Sequence, residues 1–207
     1  DSNLGNTTGA LTLNGGNLTI TGATTIDNTV TLTSNATVTN SADVTLSGVI
    51  SGGNNLTKAG ANTLTLTGTN TYTGTTTVNA GTLSVNGALN GGGTLTVASG
   101  GTLAGSGSIT GDVTVASGGS LTPGNSPGIL STGNLTLSAG STTTFELNGT
   151  TAGTQYDQID VTGTVNVTGA TLTTSFGFTP ANGDSFTLID NDGADAVTGT
   201  FTGQAEG

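Results

Sequence analysis

The chain has 207 residues, 37 of them Gly, with one Lys, no Arg, no His, no Cys and 12 acids, for a net charge of −11. That charge argues against nucleic acid, whose phosphates need Lys and Arg, and against docking on an anionic membrane. Without His or Cys there is no Ser-His-Asp or Cys-His catalysis and no Cys- or His-based zinc site.

Hydrophobic residues make up 31% and aromatics 3%. A globular core of this size wants larger side chains, whereas a narrow stacked architecture does not. The Gly content has no Gly-X-Y period, which excludes collagen. Apolar and Thr residues alternate too regularly for a disordered low-complexity segment. No run reaches the 18 or so apolar residues of a membrane helix, so no direct membrane insertion is expected. Asp1 opens a polar stretch without a signal peptide, and the chain reads as a mature or excised piece.

Residues 1–9 are expected to be irregular or to form a fraying first coil. Alternation then starts, with Leu11, Leu13, Leu18 and Ile20 on one side and Thr12 and Thr19 on the other. Two strands joined at Asn14-Gly15-Gly16 fit this, because Asn-Gly suits positive φ. Local sequence allows either a hairpin or a solenoid corner there. Strands follow at Thr29–Thr33, Ala36–Thr39 and Ala42–Leu46. Val49 and Ile50 are adjacent apolars, so one faces out or the pair marks a bulge.

Gly52 to Asn55 reads as a corner. Lys58, the sole base, is expected to be a solvated side chain at a corner. In Asn62–Thr73, Leu64 and Leu66 point inward and Thr63, Thr65 and Thr67 outward. Tyr72 is expected to cover a core edge. Sugar stacking is its alternative role, which makes it the candidate binding residue.

The stretch Gly74–Pro123 sets the architecture. VASGGTLAG begins at Val97 and nearly recurs as VASGGSLTP from Val115, an offset of 18. A looser copy, VNAGTLSV, begins at Val78, at an offset of 19 from Val97. Such a period marks a solenoid, in which one coil cannot bury its apolar side and must stack on the next. A strand residue rises about 3.3 Å, so a coil of about 18 to 20 residues holds three short strands and three corners. The expected fold is all-β, a right-handed parallel β-helix with about three strands per coil, roughly 10 coils and about 50 Å long. A two-sided coil with longer faces also fits the period. The inward ladder is Leu83, Val85, Leu95, Val97, Leu103, Ile109, Val113, Val115 and Leu121. Gly81, Gly93, Gly101 and Gly119 let the backbone turn.

PGNSPG from Pro123 to Gly128 breaks the rhythm, since Pro cannot donate to a ladder. It divides regular repeats, 1–122, from a modified region, 123–207. Strands are expected there at Asn134–Leu137, Thr143–Leu147, Ile159–Val161, Thr164–Thr168, Ala170–Ser175, Ser185–Ile189 and Thr198–Thr202. Phe145, Phe176, Phe178, Phe186 and Phe201 imply a wider core or a covering end. The chain stops mid-pattern and reads as cut from something longer.

Chemistry is sparse. Glu146, Asp157 and Asp160 are the candidate carboxylates for glycan cleavage, with turn caps as the expected role. Asp190, Asp192 and Asp195 are candidate calcium ligands on a loop with Gly193. That loop fails the EF-hand pattern, which needs Gly at position 6 and Glu at 12, so a solvated turn is expected. Neither enzyme activity nor a cofactor is expected. Thr is read as spread over several faces without a sustained Thr-x-Thr at one phase, so binding of ice or a crystalline polymer is not expected.

The stretches Gly68–Gly87, Gly101–Leu137, Tyr156–Leu172 and Phe186–Phe201 resemble the autotransporter-associated β-strand repeat family. The resemblance implies a parallel β-helix passenger of a large bacterial secreted or surface protein, exported through an outer-membrane barrel, with no shared active site. The expected role is a structural stalk or adhesive segment, extracellular or on the bacterial cell surface. Two further readings stand beside it: end-to-end self-stacking into a filament or sheath, and a module that binds glycans or host proteins.

Overall fold

The structure is a computed structural model that describes residues 9–193 and 195–204. All but the last residue of the irregular stretch expected at 1–9 lies outside the described residues. Among the described residues every regular element is a strand. Period-two alternation gives each strand one apolar side, and burying it requires a neighbour above and below.

The strands stack into three parallel sheets. The path of the first holds nine strands, from Leu11–Ile20 and Val30–Asn40 through Leu56–Ala59, Thr76–Val78, Leu95–Val97, Val113–Val115 and Leu135–Leu137 to Val165–Asn166 and Val197–Thr198. The second holds eight, from Thr24–Ile26 to Thr171–Phe176, and the third six, from Thr69–Asn70 to Ile189–Asn191. From Leu56 onward each coil visits the three sheets in turn. The fold is therefore a parallel β-solenoid with about three strands per coil. Nine rungs at about 4.8 Å give an axis of about 40 Å, shorter than the ten coils expected.

The first coils differ. Asn14-Gly15-Gly16 is no corner, because Leu11–Ile20 runs through it as one strand, with a register shift between Leu13 and Asn14. Val30–Asn40 is likewise one strand instead of two. Its first half pairs with Ile50–Gly52 and its second with Leu56–Ala59, so one long strand spans what later becomes two faces. Val49 and Ile50 divide as expected, 37% and 1% exposed.

Residues in register fall into inward files. One in the second sheet runs Val44, Leu64, Leu83, Leu103, Leu121. All nine residues of the expected ladder are buried. Past Pro123 the three sheets continue while the coil lengthens. Leu95 pairs with Val113 at an offset of 18, Val113 with Leu135 at 22, Leu135 with Val165 at 30 and Val165 with Val197 at 32. The extra chain leaves as irregular excursions. Ser185–Ile189 and Thr198–Thr202 are not the strands; these are Ile189–Asn191 and Val197–Thr198. The excursions carry the aromatics, with Phe186 packed edge-on against Tyr156 (5.3 Å) and Phe178 (6.1 Å). Phe145 is in the core, whereas Phe176 at the last rung is 55% exposed.

The corners are tight. Gly48, Gly68, Gly87 and Gly107 stack at one of them. A Cβ on Gly87 would lie 2.3 Å from Gly68 O, and one on Gly107 2.1 Å from Gly87 O. Backbone meets backbone there, and nothing can yield. Gly87→Ala should therefore destabilise by about 3 kcal/mol or more. Gly92→Ala, where a Cβ meets open space and only a φ of 74° resists, should cost about 1 kcal/mol. Urea unfolding of both variants checks this, and equal losses would deny the corner contact its weight.

Candidate functional site

The most unusual side chain is Lys58. Its strand, Leu56-Thr57-Lys58-Ala59, has the same parity as Leu95-Thr96-Val97 and Val113-Thr114-Val115, so Lys58 takes an inward position. It lies in register with Val38 below and Val78 above. It is fully buried, against the expectation of a solvated corner side chain. The ammonium has three hydrogens and uses all three. Nζ donates to Ala59 O at 3.0 Å, Gly60 O at 2.8 Å and Ala80 O at 3.0 Å. Ala80 belongs to the next coil, so Lys58 ties two coils at the corner between the first and second sheets. Burial pulls its pKa down from 10.5 to about 8.

Other inward polar groups act alike. Asn40 Nδ2 donates to Ala42 O (2.7 Å) and Thr63 O (2.9 Å) at the same corner, one coil earlier. Asn70 Oδ1 accepts from Ile50 N (2.9 Å) while its Nδ2 reaches Gly68 O and Ala88 O. Thr76 stands in an apolar file between Leu56 and Leu95, its hydroxyl 2.5 Å from that of Tyr72. Tyr72 is 4% exposed, so its ring is part of the core and presents no face to a sugar. Burial raises its pKa to about 12, opposed by the Thr76 bond. The cavity beside it, lined by Tyr72, Thr76, Leu89 and glycines, holds about 10 Å³, room for about one water.

The three candidate carboxylates do not converge on a cleft. Asp157 is buried, and both of its oxygens accept backbone amides, Oδ1 from Gly128 (3.0 Å) and Oδ2 from Glu146 (2.8 Å). It pins the Pro123–Gly128 turn to the strand Thr142–Leu147. A Cβ on Gly124 would meet its Oδ1, which explains glycine there. Its pKa is raised by burial, against which the two amides pull. Glu146 points outward and accepts from Asn148 Nδ2 (2.9 Å). Asp160 faces Asp190 in register on the third sheet, and burial together with that like charge raises its pKa.

In the loop after Asp190, Asn191 Nδ2 donates to Asp195 O (3.0 Å) and Gly193 has positive φ. Ala194 lies outside the described residues. Among those described, Asp190, Asp192 and Asp195 do not gather into a group of three that could hold a metal.

Thr is spread over more than one outward face, as expected, and pairing brings it into register there. In the first sheet, register aligns Thr37, Thr57, Thr77, Thr96, Thr114 and Thr136 in one column. In the second, Thr63, Thr82, Thr102, Ser120, Thr142 and Thr171 form another. Coil length varies between these rungs, so no fixed count along the sequence reveals the columns. Lys58 was within reach of sequence reasoning, since its strand parity equals that of Val97.

Between pH 8 and 10 the unfolded chain holds the Lys58 proton more tightly than the folded one, so stability should rise with pH. Above pH 10 the sign reverses for Tyr72, which ionises more readily unfolded. Chemical denaturation should show a gain of about 1–3 kcal/mol from pH 8 to 10. In Lys58→Met that gain should vanish. A wild-type profile flat over this window would mean that the carbonyl cradle offsets burial completely.

A family model described as the passenger-associated-transport-repeat matches residues 56–85. Comparison with curated proteins gives no match. The matched span begins at the strand of Lys58, ends with the strand Gly81–Val85 and includes Asn70, Tyr72 and Thr76. It links this β-solenoid, in broad terms, to the passenger domains of autotransporters.

Proposed function

We propose that this chain is a stiff spacer in a bacterial cell-surface or secreted protein, holding another part of that protein away from the membrane that exported it. The observation that carries this reading is the unbroken path of nine parallel strands in the first sheet. Each rung is bonded to the next and closed inside by aliphatic files, so bending the rod means breaking ladder bonds along one face. The passenger-associated repeat at 56–85 supports the surface or extracellular location.

We place a boundary at Pro123. Short, regular coils precede it and longer ones follow, the offset between paired strands growing from 18 at Leu95 and Val113 to 32 at Val165 and Val197. A rod needs no reacting group, and we assign no enzyme activity. The carboxylates are spent on backbone amides or point apart, which supports that assignment.

End-to-end stacking of copies is the weaker reading. Val197 (61%) and Phe176 leave an open apolar rung at one end. The coil there is wider than at the other end, where Leu11 pairs with Val30 at an offset of 19. A filament of identical copies would need those unequal rungs to superpose.

Small-angle scattering should give a rod about 40 Å long whose length does not change with concentration. A glycan array should show no saturable ligand. Rods that lengthen as concentration rises would replace the spacer with a filament. A saturable glycan affinity in the folded chain would replace it with a recognition module.

A further inference from the structure

The dipeptide Asn-Gly occurs five times, at Asn14, Asn86, Asn90, Asn148 and Asn182. It is a reactive pair, because Gly has no Cβ to keep its amide nitrogen from swinging toward the preceding side chain. When that nitrogen attacks the Asn Cγ, a C–N bond forms and closes a five-membered succinimide. The bond from Cγ to the side-chain nitrogen breaks, and ammonia leaves with the proton that the backbone amide gives up through solvent. Water then opens the ring at either carbonyl, leaving aspartate or, with the main chain rerouted through Cγ, isoaspartate. Water is the only co-reactant, and nothing is oxidised or reduced. The attack needs a side chain that nothing holds and a backbone free to rotate between the two residues.

Four of the five pairs lack that freedom. Asn14 sits inside the strand Leu11–Ile20, in register with Ser34, and its Oδ1 accepts the Ser34 hydroxyl (3.2 Å). Asn86 Oδ1 accepts from Asn125 Nδ2 (2.7 Å), and Gly87 N donates to Leu66 O (2.9 Å). Asn90 N donates to Asn70 O (2.8 Å), and Gly91 is wedged against Tyr72 O of the preceding coil, where a Cβ would have no room. Asn148 is held at both ends, its N donating to Gln155 O (2.7 Å) and its Nδ2 to Glu146 Oε1 (2.9 Å).

Asn182 is the exception. It lies in the excursion between the strands Thr171–Phe176 and Ile189–Asn191, where residues 179–185 are all exposed. Its side-chain amide and the Gly183 N–H have no hydrogen bond to a described residue, and a Cβ on Gly183 would meet open space. The turn is closed by Asp184, whose N donates to Ala181 O (3.2 Å) and whose Oδ2 accepts from Ala181 N (2.8 Å). Between those two bonds no ladder contact resists rotation. We propose that Asn182 is a site of spontaneous modification: the folded protein converts it to aspartate and isoaspartate through the Gly183 nitrogen, while the other four Asn-Gly pairs stay intact. The product adds a carboxylate near Asp184 in a chain already at a net charge of −11. The sheets and the core are untouched, so the rod keeps its form while its surface charge drifts with age. This inference goes beyond the spacer reading and does not depend on it.

The test ages the full folded chain at mildly alkaline pH and reads acidic isoforms by anion exchange and, after denaturation, chymotryptic peptides by mass spectrometry. Cleavage after Phe178 and Phe186 isolates Thr179–Phe186, in which Asn182 is the sole Asn. That peptide should gain the mass of exchanging an amino group for a hydroxyl and should split into aspartate and isoaspartate forms. Its conversion should run at least about tenfold faster than at the other four pairs, which react only through local opening. Ageing in urea should abolish this ranking. Asn182→Gln, at an exposed position, should fold normally and lose the first acidic isoform. Persistence of that isoform in Asn182→Gln overturns the proposal, as does conversion at Asn182 no faster than at the other pairs of the folded chain. A ranking that survives in urea overturns it too, since local sequence and not the fold would then set the rate.

Discussion

Everything in this molecule answers to the distance between rungs. Parallel strands pair at about 4.8 Å, and the corners between them must keep that spacing while the chain turns. At the corner of Gly48, Gly68, Gly87 and Gly107 the preceding coil's carbonyl already occupies the place of a Cβ. The 37 glycines and the 3% of aromatics follow from this. Coils this short enclose a thin interior that Val, Leu and Ile fill in files, with Tyr72 the one aromatic before Pro123. Only where the coil grows, past Pro123, does the chain carry Phe145 inside and the cluster of Tyr156, Phe178 and Phe186 at its flank.

Tight corners create a second demand. A turning backbone exposes amides and carbonyls that no ladder satisfies, and inside the coil no water reaches them. Lys58, Asn40, Asn70 and Asp157 are the answers to this demand, each bonded to corner or turn backbone. A buried ammonium without a carboxylate is costly, and three carbonyls recover only part of the cost, which is why its pKa still falls. The residues most suggestive of chemistry are thus the ones the architecture consumes. The passenger-associated repeat at 56–85 includes two of these interior polar devices, Lys58 and Asn70.

Strand parity was legible from the sequence, and the nine ladder residues from Leu83 to Leu121 are all in the core. Parity failed where residue type was allowed to overrule it. Lys58 alternates inward as Val97 does, yet a lone base suggested a solvated corner. Asn14-Gly15-Gly16 misled for a related reason. Asn-Gly marks a turn when the strand must reverse, but in a parallel coil the same positive φ is absorbed as a shift in register. The Thr columns were hidden by geometry. The steps between Thr57, Thr77, Thr96, Thr114 and Thr136 are unequal, because corners differ in length while strands stay aligned. Registry is a property of the pairing, and no single phase along the chain carries it. The excursions were the least legible, since Ser185–Thr187 has the composition of a strand but lies outside the ladder.

Self-stacking explains why these faces are so uniform. In a solenoid, whatever occupies an outward position recurs about 4.8 Å above itself. A carboxylate repeated there repels its own copy, as Asp160 and Asp190 do on the third sheet, where burial and, after it, that repulsion raise the Asp160 pKa. Among the described strands, the outward positions of the first two sheets carry one charge, Glu146. Val or Ile would stack well but would leave broad apolar faces in water. Ser, Asn and Thr escape both penalties. Asn takes strand ends, where Asn55 and Asn134 accept the amides of Thr75 and Thr164 from the next coil. The strand centres take Thr, whose branch at Cβ packs against the rung below and holds χ1. Ser would give the same hydroxyl without that restraint. The first sheet keeps Thr at this position from Thr37 to Thr136, whereas the second admits Ser84, Ala104 and Ser120 among its Thr.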